Sequence, residues 1–153
     1  MSDIQITIDS TATDAMLRHI ADKLDHLQPA MNSVAHDIAE NIRFTFRDLK
    51  TPYGVPWKTL SPVTVSRRRI GSSVPLNDTG VLRNSITFNA TDSSAEIGTN
   101  VPYAAMMNFG GSKSAYPHLW GDIPARQFMP INPLPAAWEE QMINTVSRYL
   151  GVV

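Results

Sequence analysis

The chain has 153 residues, a length that predicts a single compact domain spanning residues 1–153. It contains no cysteine, which excludes disulfides, thiolate catalysis and thiolate metal sites. Its 13 lysine and arginine residues are balanced by 14 aspartate and glutamate residues, which argues against a dedicated, usually basic, nucleic-acid-binding protein. The N-terminus shows no signal peptide, and no run approaches the roughly 20 apolar residues of a membrane span, so we expect neither ordinary export nor membrane association.

The N-terminal part of the chain predicts a strand and a helix. Isoleucine alternates with polar residues across 4–8, which is the period of a short half-buried strand. Ser10 or Thr11 can cap a helix that follows. Its apolar residues recur at steps of three and four: Leu17, Ile20, Leu24 and Leu27. Pro29 either ends this helix or opens the next one.

The strongest helical pattern in the chain lies at 31–49. Its apolar side chains share one helix face: Met31, Val34, Ala35, Ile38, Ala39, Ile42, Phe46 and Leu49. Such a face needs a sheet or another helix to cover it. The prolines and glycine of 51–56 should end the helix, because neither residue continues the hydrogen-bond ladder well.

A short helix is predicted next. Ser61 and Pro62 are a capping residue followed by a proline at the first helical position. The helix should continue through the arginines of 67–69 and end at the glycine and serines of 71–73.

A further helical turn and a β-hairpin are predicted after this helix. Asp78 or Thr79 can cap the turn. Residues 85–90 and 95–99 alternate apolar and polar side chains on either side of an Asp-Ser-Ser turn, a pattern typical of paired strands.

The C-terminal part begins with a short helix predicted at 103–109 and closed by two glycines. An irregular stretch at 111–123 precedes a predicted strand at 127–131. Pro135 opens a last helix, for which Gly151 stands at the C-terminal cap position. One side of that helix is apolar: Trp138, Met142, Val146 and Tyr149.

This order of elements predicts an α+β fold. A small, mostly antiparallel sheet should pack against the long amphipathic helix, with further helices at both ends of the chain.

Four short motifs occur in order between 57 and 128. They are Trp57-Lys58-Thr59-Leu60-Ser61, Leu76-Asn77-Asp78-Thr79-Gly80-Val81-Leu82-Arg83-Asn84-Ser85-Ile86, Ile97-Gly98-Thr99 with Tyr103-Ala104 and Asn108-Phe109-Gly110, and Ile123-Pro124-Ala125-Arg126-Gln127-Phe128. Together they resemble the phage virion morphogenesis family, which includes tail completion proteins of contractile-tailed phages.

The resemblance implies a structural, non-enzymatic protein that acts in tail completion or head–tail joining, in a ring at the neck. Its expected partners are other phage tail or neck proteins and further copies of itself. Its expected location is the virion, after assembly in the host bacterial cytoplasm.

The second motif has two interpretations. In the structural one, Leu76 and Leu82 pack inward, Asp78 or Thr79 accepts backbone hydrogen bonds, and Gly80 relieves steric crowding. In the catalytic one, Asp78-Thr79-Gly80 is the signature of a retroviral-type aspartic protease. That chemistry needs the aspartate at the end of an apolar strand, and the residues before Asp78 do not form one, so we favour the structural interpretation.

Arg67, Arg68 and Arg69 form the densest positive cluster in the chain. They could contact an acidic partner or DNA phosphates, as in a small nucleic-acid-binding module. The alternative is a solvated helix end, where cations suit the helix dipole. We include the cluster as a candidate protein interface and do not predict DNA contact.

The stretch 111–123 is the other candidate interface, through Tyr116, Leu119 and Trp120. A long irregular loop in a small domain is often a binding element. The alternative is a loop packed on its own domain through Trp120. The sequence predicts no catalytic residue, metal site or cofactor, because the histidines lack metal-binding spacing and no nucleophile or phosphate-binding motif is present.

Overall fold

The computed structural model describes residues 9–68 and 72–152. These residues form six helices and one two-stranded antiparallel sheet, which confirms the α+β class. In chain order the elements are α1 (Thr11–Leu24), α2 (Gln28–Asp48), α3 (Pro62–Arg67), α4 (Val81–Asn84), β1 (Thr87–Ala90), β2 (Ala95–Gly98), α5 (Ala104–Phe109) and α6 (Ala136–Leu150). The strand predicted at 4–8 lies outside the described residues. Within the described residues, no helix combines the length and apolar character that crossing a bilayer requires.

Helix α2 is the central element, because it packs against both the hairpin and α6. Its predicted apolar face is the buried one, and it contributes Val34, Ile38, Ile42 and Phe46 to the core. These side chains follow steps of three and four residues, so they lie in one stripe along the helix. The prediction that this face organises the core is therefore confirmed.

Helix α2 ends before the prolines and glycine that were predicted to stop it. Leu49 adopts a left-handed conformation with φ 55°, and its N–H donates to the Thr45 carbonyl. A left-handed residue is a common helix terminator, although a leucine there is strained by its Cβ atom. The Leu49 side chain packs against the core, and this contact offsets the strain.

Strands β1 and β2 form the predicted hairpin and cover one side of α2. Ile86 and Ala90 are buried, in agreement with the alternation of the sequence. Phe88, which pairs with Ile97, remains 38 % exposed. Its ring meets His36 of α2 edge-on, with the ring centroids 6.0 Å apart.

Helix α6 covers another side of α2, as its apolar pattern predicts. Trp138, Met142 and Val146 pack against the core. Gly151 ends the helix in a left-handed conformation with φ 77°, and its N–H donates to carbonyls of the last turn. This is the cap that the sequence predicts at that position.

Helix α1 forms where its spacing predicts, but Ser10 at its N-cap makes no side-chain cap and its apolar stripe is not buried. Leu17 and Leu24 remain 59 % and 50 % exposed, and none of the helix residues is buried. The helix packs against α6. Just after the end of α1, the Tyr149 hydroxyl of α6 donates to the His26 carbonyl at 2.5 Å. The spacing of apolar residues therefore predicted the position of α1 correctly. Burial of these side chains needs a second surface, and α6 covers them only in part.

Residues 127–131 do not form the predicted strand. Their backbone groups bond to side chains instead: Asn108 Oδ1 accepts the Phe128 N–H at 2.9 Å, and Trp57 Nε1 donates to the Gln127 carbonyl at 2.8 Å. These bonds satisfy the main chain without a neighbouring strand. They also place Phe128 in the core, with 1 % of its surface exposed.

Candidate functional site

A cleft of about 560 Å³ lies where the four sequence motifs meet. Each motif contributes to its wall, and we call it the motif cleft. Among its lining residues are Thr59, Arg68, Asp78, Tyr103, Ile123 and Arg126. Its volume is within the range of roughly 300–1,000 Å³ that binding pockets occupy. Charged and apolar side chains share the wall, so the cleft suits an amphipathic group.

Arg126 forms the buried end of the polar wall and is only 6 % exposed. Its Nε donates to the Lys58 carbonyl at 2.8 Å and its Nη2 to the Thr59 carbonyl at 3.1 Å. Burial lowers the pKa of Arg126, and the positive charge of Arg68 lowers it further. No carboxylate of the described residues lies within 4.0 Å of this guanidinium, so it is a buried cation without an anionic partner there.

The predicted arginine cluster does not lie on one helix. Helix α3 ends at Arg67, which is exposed, and Arg68 continues in an extended conformation with its side chain half-buried at the cleft. Its Nη1 donates to the carbonyls of Ser72 and Val74 at 3.1 and 2.5 Å. These bonds connect Arg68 to the following turn, so the prediction that the helix includes Arg68 is wrong. Arg69 lies outside the described residues.

Helix α4 begins without the predicted side-chain cap. Its N-cap residue is Gly80, in a left-handed conformation with φ 76°. A Cβ atom there would meet only ordinary contacts, the nearest being Asn84 Nδ2 at 3.5 Å, so glycine is required for backbone conformation and not to relieve crowding. Asp78 lines the motif cleft, and its buried Oδ1 accepts no hydrogen bond from the described residues. Leu82 is buried and Leu76 packs against the core, as predicted.

The geometry around Asp78 does not match that of an aspartic protease. The segment Asp78-Thr79-Gly80 is a bend that leads into α4, whereas the protease aspartate needs the end of an apolar strand. Among residues 9–68 and 72–152, no three histidine, aspartate or glutamate side chains are grouped to hold a metal ion.

We expect Asp78→Asn to keep the fold and to change the free energy of unfolding by less than about 1 kcal/mol. The reason is that no hydrogen bond within the described residues depends on Oδ1 of this carboxylate. Urea unfolding of the variant beside the exposed control Asp22→Asn measures the effect. A loss above about 2 kcal/mol would contradict the expectation. Peptide cleavage by the original protein that disappears in Asp78→Asn would support the protease interpretation.

The loop between α5 and the fourth motif is closed at its neck by two backbone hydrogen bonds. The Gly111 N–H donates to the Ile123 carbonyl at 2.9 Å, and the reverse bond is 2.8 Å. Beyond this neck, Trp120 is 94 % exposed and Tyr116 is 43 % exposed, while Leu119 is half-buried. The interpretation that the loop packs on its own domain through Trp120 is therefore wrong. The loop presents an aromatic side chain to the solvent.

Gly110 allows the fourth motif to pass close beneath this loop. It has a φ of 74°, and a Cβ atom added there would lie 2.7 Å from Ala125 N and 2.8 Å from the Ile123 carbonyl oxygen. Both neighbours are backbone atoms that cannot move aside, so only glycine fits.

The segments that build the cleft lie within a match to a known family. The sequence pattern of the phage virion morphogenesis family matches residues 8–151. The chain belongs to the phage virion morphogenesis family. A related protein, "Mu-like prophage FluMu G protein 2" of Haemophilus influenzae, is 32 % identical over 133 residues, which are 87 % of this chain and 86 % of that protein. No solved structure matches the chain.

Membership of the virion morphogenesis family confirms the resemblance seen in the four motifs and assigns the chain a role in phage morphogenesis. The structure adds roles for two motif residues that the sequence did not explain. The Asn108 side chain accepts a hydrogen bond from the Phe128 N–H, and the Arg126 guanidinium donates to the carbonyls of Lys58 and Thr59. Their only sequence signal was membership of the motifs, because their partners are distant in the chain.

Proposed function

We propose that this protein is a structural, non-enzymatic component that completes the tail or joins it to the head, as part of a ring at the neck of the virion. The single observation that carries the proposal is the family match over 8–151, supported by the similarity to a Mu-like prophage protein. Its partners would be other tail or neck proteins and further copies of itself. It would assemble in the host bacterial cytoplasm and remain in the virion.

Exposed features of the fold support a role in contact with other proteins. Trp120 is the most exposed of the large hydrophobic side chains described, and such residues are frequent at the centres of interfaces. The hairpin offers a second surface, because its sheet has only two strands among the described residues and so leaves strand edges that a neighbour can pair with. A cyclic ring needs two different patches that meet between copies, and the single domain of 1–153 would supply both.

Of the two arginines of this cluster that the structure describes, only Arg67 is exposed. Arg67 is exposed at the end of α3 and is available to a partner, whereas Arg68 is engaged at the motif cleft. The near-neutral charge of the whole chain gives DNA contact no further support.

Deleting the gene from its phage or prophage and inducing particle formation tests the proposal. We expect unjoined heads and tails, or tails of abnormal length, in electron micrographs, with normal particles restored by the original gene. Mass spectrometry of purified complemented virions should detect the protein. Normal infectious particles from the deletion, or virions that lack the protein, would refute a structural role at the neck.

A further inference from the structure

The motif cleft contains hydrogen-bonding and electrostatic capacity that the described residues do not use. Asp78 Oδ1 is a buried acceptor that receives no hydrogen bond from them. Buried polar atoms in folded proteins nearly always have a partner, so this acceptor in a binding-sized cleft is open to a donor from another molecule. The guanidiniums of Arg68 and Arg126 line the same cleft without an ion-pair partner among the described residues.

Apolar side chains form a large part of the remaining wall of the motif cleft, beside several hydroxyl groups and Asp122. Leu60, Leu76, Leu82, Met107, Ile123 and Pro124 contribute to it. An occupant with a large apolar surface, a hydrogen-bond donor and an electron-rich face would match the apolar wall, Asp78 and the guanidiniums together. The indole of tryptophan has all three, because its Nε1–H only donates and its ring is the best aromatic partner for a cation.

The chain itself exposes such a group. Trp120 is 94 % exposed on a loop whose neck is held by paired backbone hydrogen bonds. It does not fill the cleft of its own chain, although Asp122 and Ile123 of the same segment line that cleft. A solvent-exposed indole and an indole-compatible cleft on one molecule are complementary between two copies.

We propose that Trp120 of one copy inserts into the motif cleft of a neighbouring copy, where its indole N–H donates to Asp78 Oδ1 and its ring stacks on the cleft guanidiniums. This rests on the proposed function, since it names the contact that would join copies in the ring. The apolar wall buries the indole, and the partner copy supplies the donor that the cleft lacks. Each copy then uses a different patch on each side, which is the requirement of a cyclic assembly.

Directed disulfide formation in the full-length protein tests the insertion. The chain has no cysteine, so introduced thiols are the only ones present. Gly121→Cys places a thiol beside Trp120 where a Cβ atom meets nothing within 4 Å, and Thr79→Cys places one at the exposed rim of the cleft. We expect a mixed disulfide when the two single variants are combined at high concentration and mildly oxidised, because insertion brings these positions together.

Matched variants separate insertion from random collision. Adding Trp120→Ala to the Gly121→Cys chain should lower the yield of the mixed disulfide by more than about tenfold, and Trp120→Phe should give an intermediate yield because it keeps a ring but loses the donor. Replacing Thr79→Cys by Ser93→Cys, at the exposed hairpin turn, should give a yield as low as that of Trp120→Ala. Absence of the mixed disulfide, or a yield that Trp120→Ala leaves unchanged, would overturn the insertion.

A chain carrying both cysteines distinguishes this proposal from the proposed function. A ladder of linked oligomers supports both insertion and a ring. A product that stops at the dimer supports insertion and contradicts the ring. A disulfide formed only within one chain overturns insertion between copies, whatever the deletion phenotype shows.

Discussion

Phe128→Ala is expected to reduce the free energy of unfolding by about 3–5 kcal/mol. Phe128 is 1 % exposed and belongs to the core cluster, where its ring centroid lies 5.2 Å from that of Phe46. Removing the ring leaves a cavity, and its backbone cannot collapse into that cavity freely because Asn108 holds the Phe128 N–H. The aromatic contact with Phe46 is lost as well.

Chemical unfolding measures this loss, with Phe109→Ala as the matched control. Phe109 is 63 % exposed at the end of α5, so the same change should alter stability by less than about 0.5 kcal/mol. Equal effects of the two substitutions would show that Phe128 is not the core residue that the fold requires.

Asn108→Ala is expected to cost about 2–5 kcal/mol, because one side-chain oxygen satisfies two backbone donors. Asn108 Oδ1 accepts the N–H groups of Phe128 and Met129 at 2.9 and 3.0 Å, and Asn108 is 5 % exposed. The substitution would leave both donors unsatisfied near the core. No neighbouring strand can replace the lost acceptor in the described structure, because 127–131 is not paired in a sheet.

Thermal and urea unfolding of Asn108→Ala measure this loss of stability. The control Asn32→Ala shows how much stability is lost when any asparagine side chain is removed. Asn32 is exposed on α2, so its substitution should be nearly neutral. Hydrogen exchange at the amides of Phe128 and Met129 should accelerate in Asn108→Ala. Unchanged protection of these two amides would contradict the role assigned to Asn108.

Hydrogen bonds between distant segments join three of the four motifs in one region of the fold. Trp57, Asn108 and Arg126 come from three different motifs, and each donates to or accepts from backbone of another segment. These hydrogen bonds hold the segments around the motif cleft together. Asp78 Oδ1 has no hydrogen-bond partner among the described residues, and in our proposal a neighbouring copy supplies the donor.

The sequence alone determined the elements whose signals are local. Helix α2, the hairpin and α6 follow from side-chain spacing within a few turns, because periodicity depends only on helix or strand geometry. The sequence also predicted the caps at Ser61 and Gly151, because each cap and its partners lie within one turn of the chain. The Ser61 hydroxyl accepts the Thr64 N–H at 3.2 Å. The four motifs pointed to the family for a different reason, namely their order along the chain.

Only the tertiary structure decided which surfaces are covered and which side chains share a site. The stripe of α1 has regular spacing, yet Leu17 remains exposed because no described element covers it. The segment 127–131 has strand-like residues, yet side chains from elsewhere take its hydrogen bonds. Arg126 reaches the carbonyl of Lys58, 68 residues away, and Trp120 is exposed on a loop that is closed at its neck. Such pairings depend on how distant segments pack, which the spacing of residues along the chain does not encode.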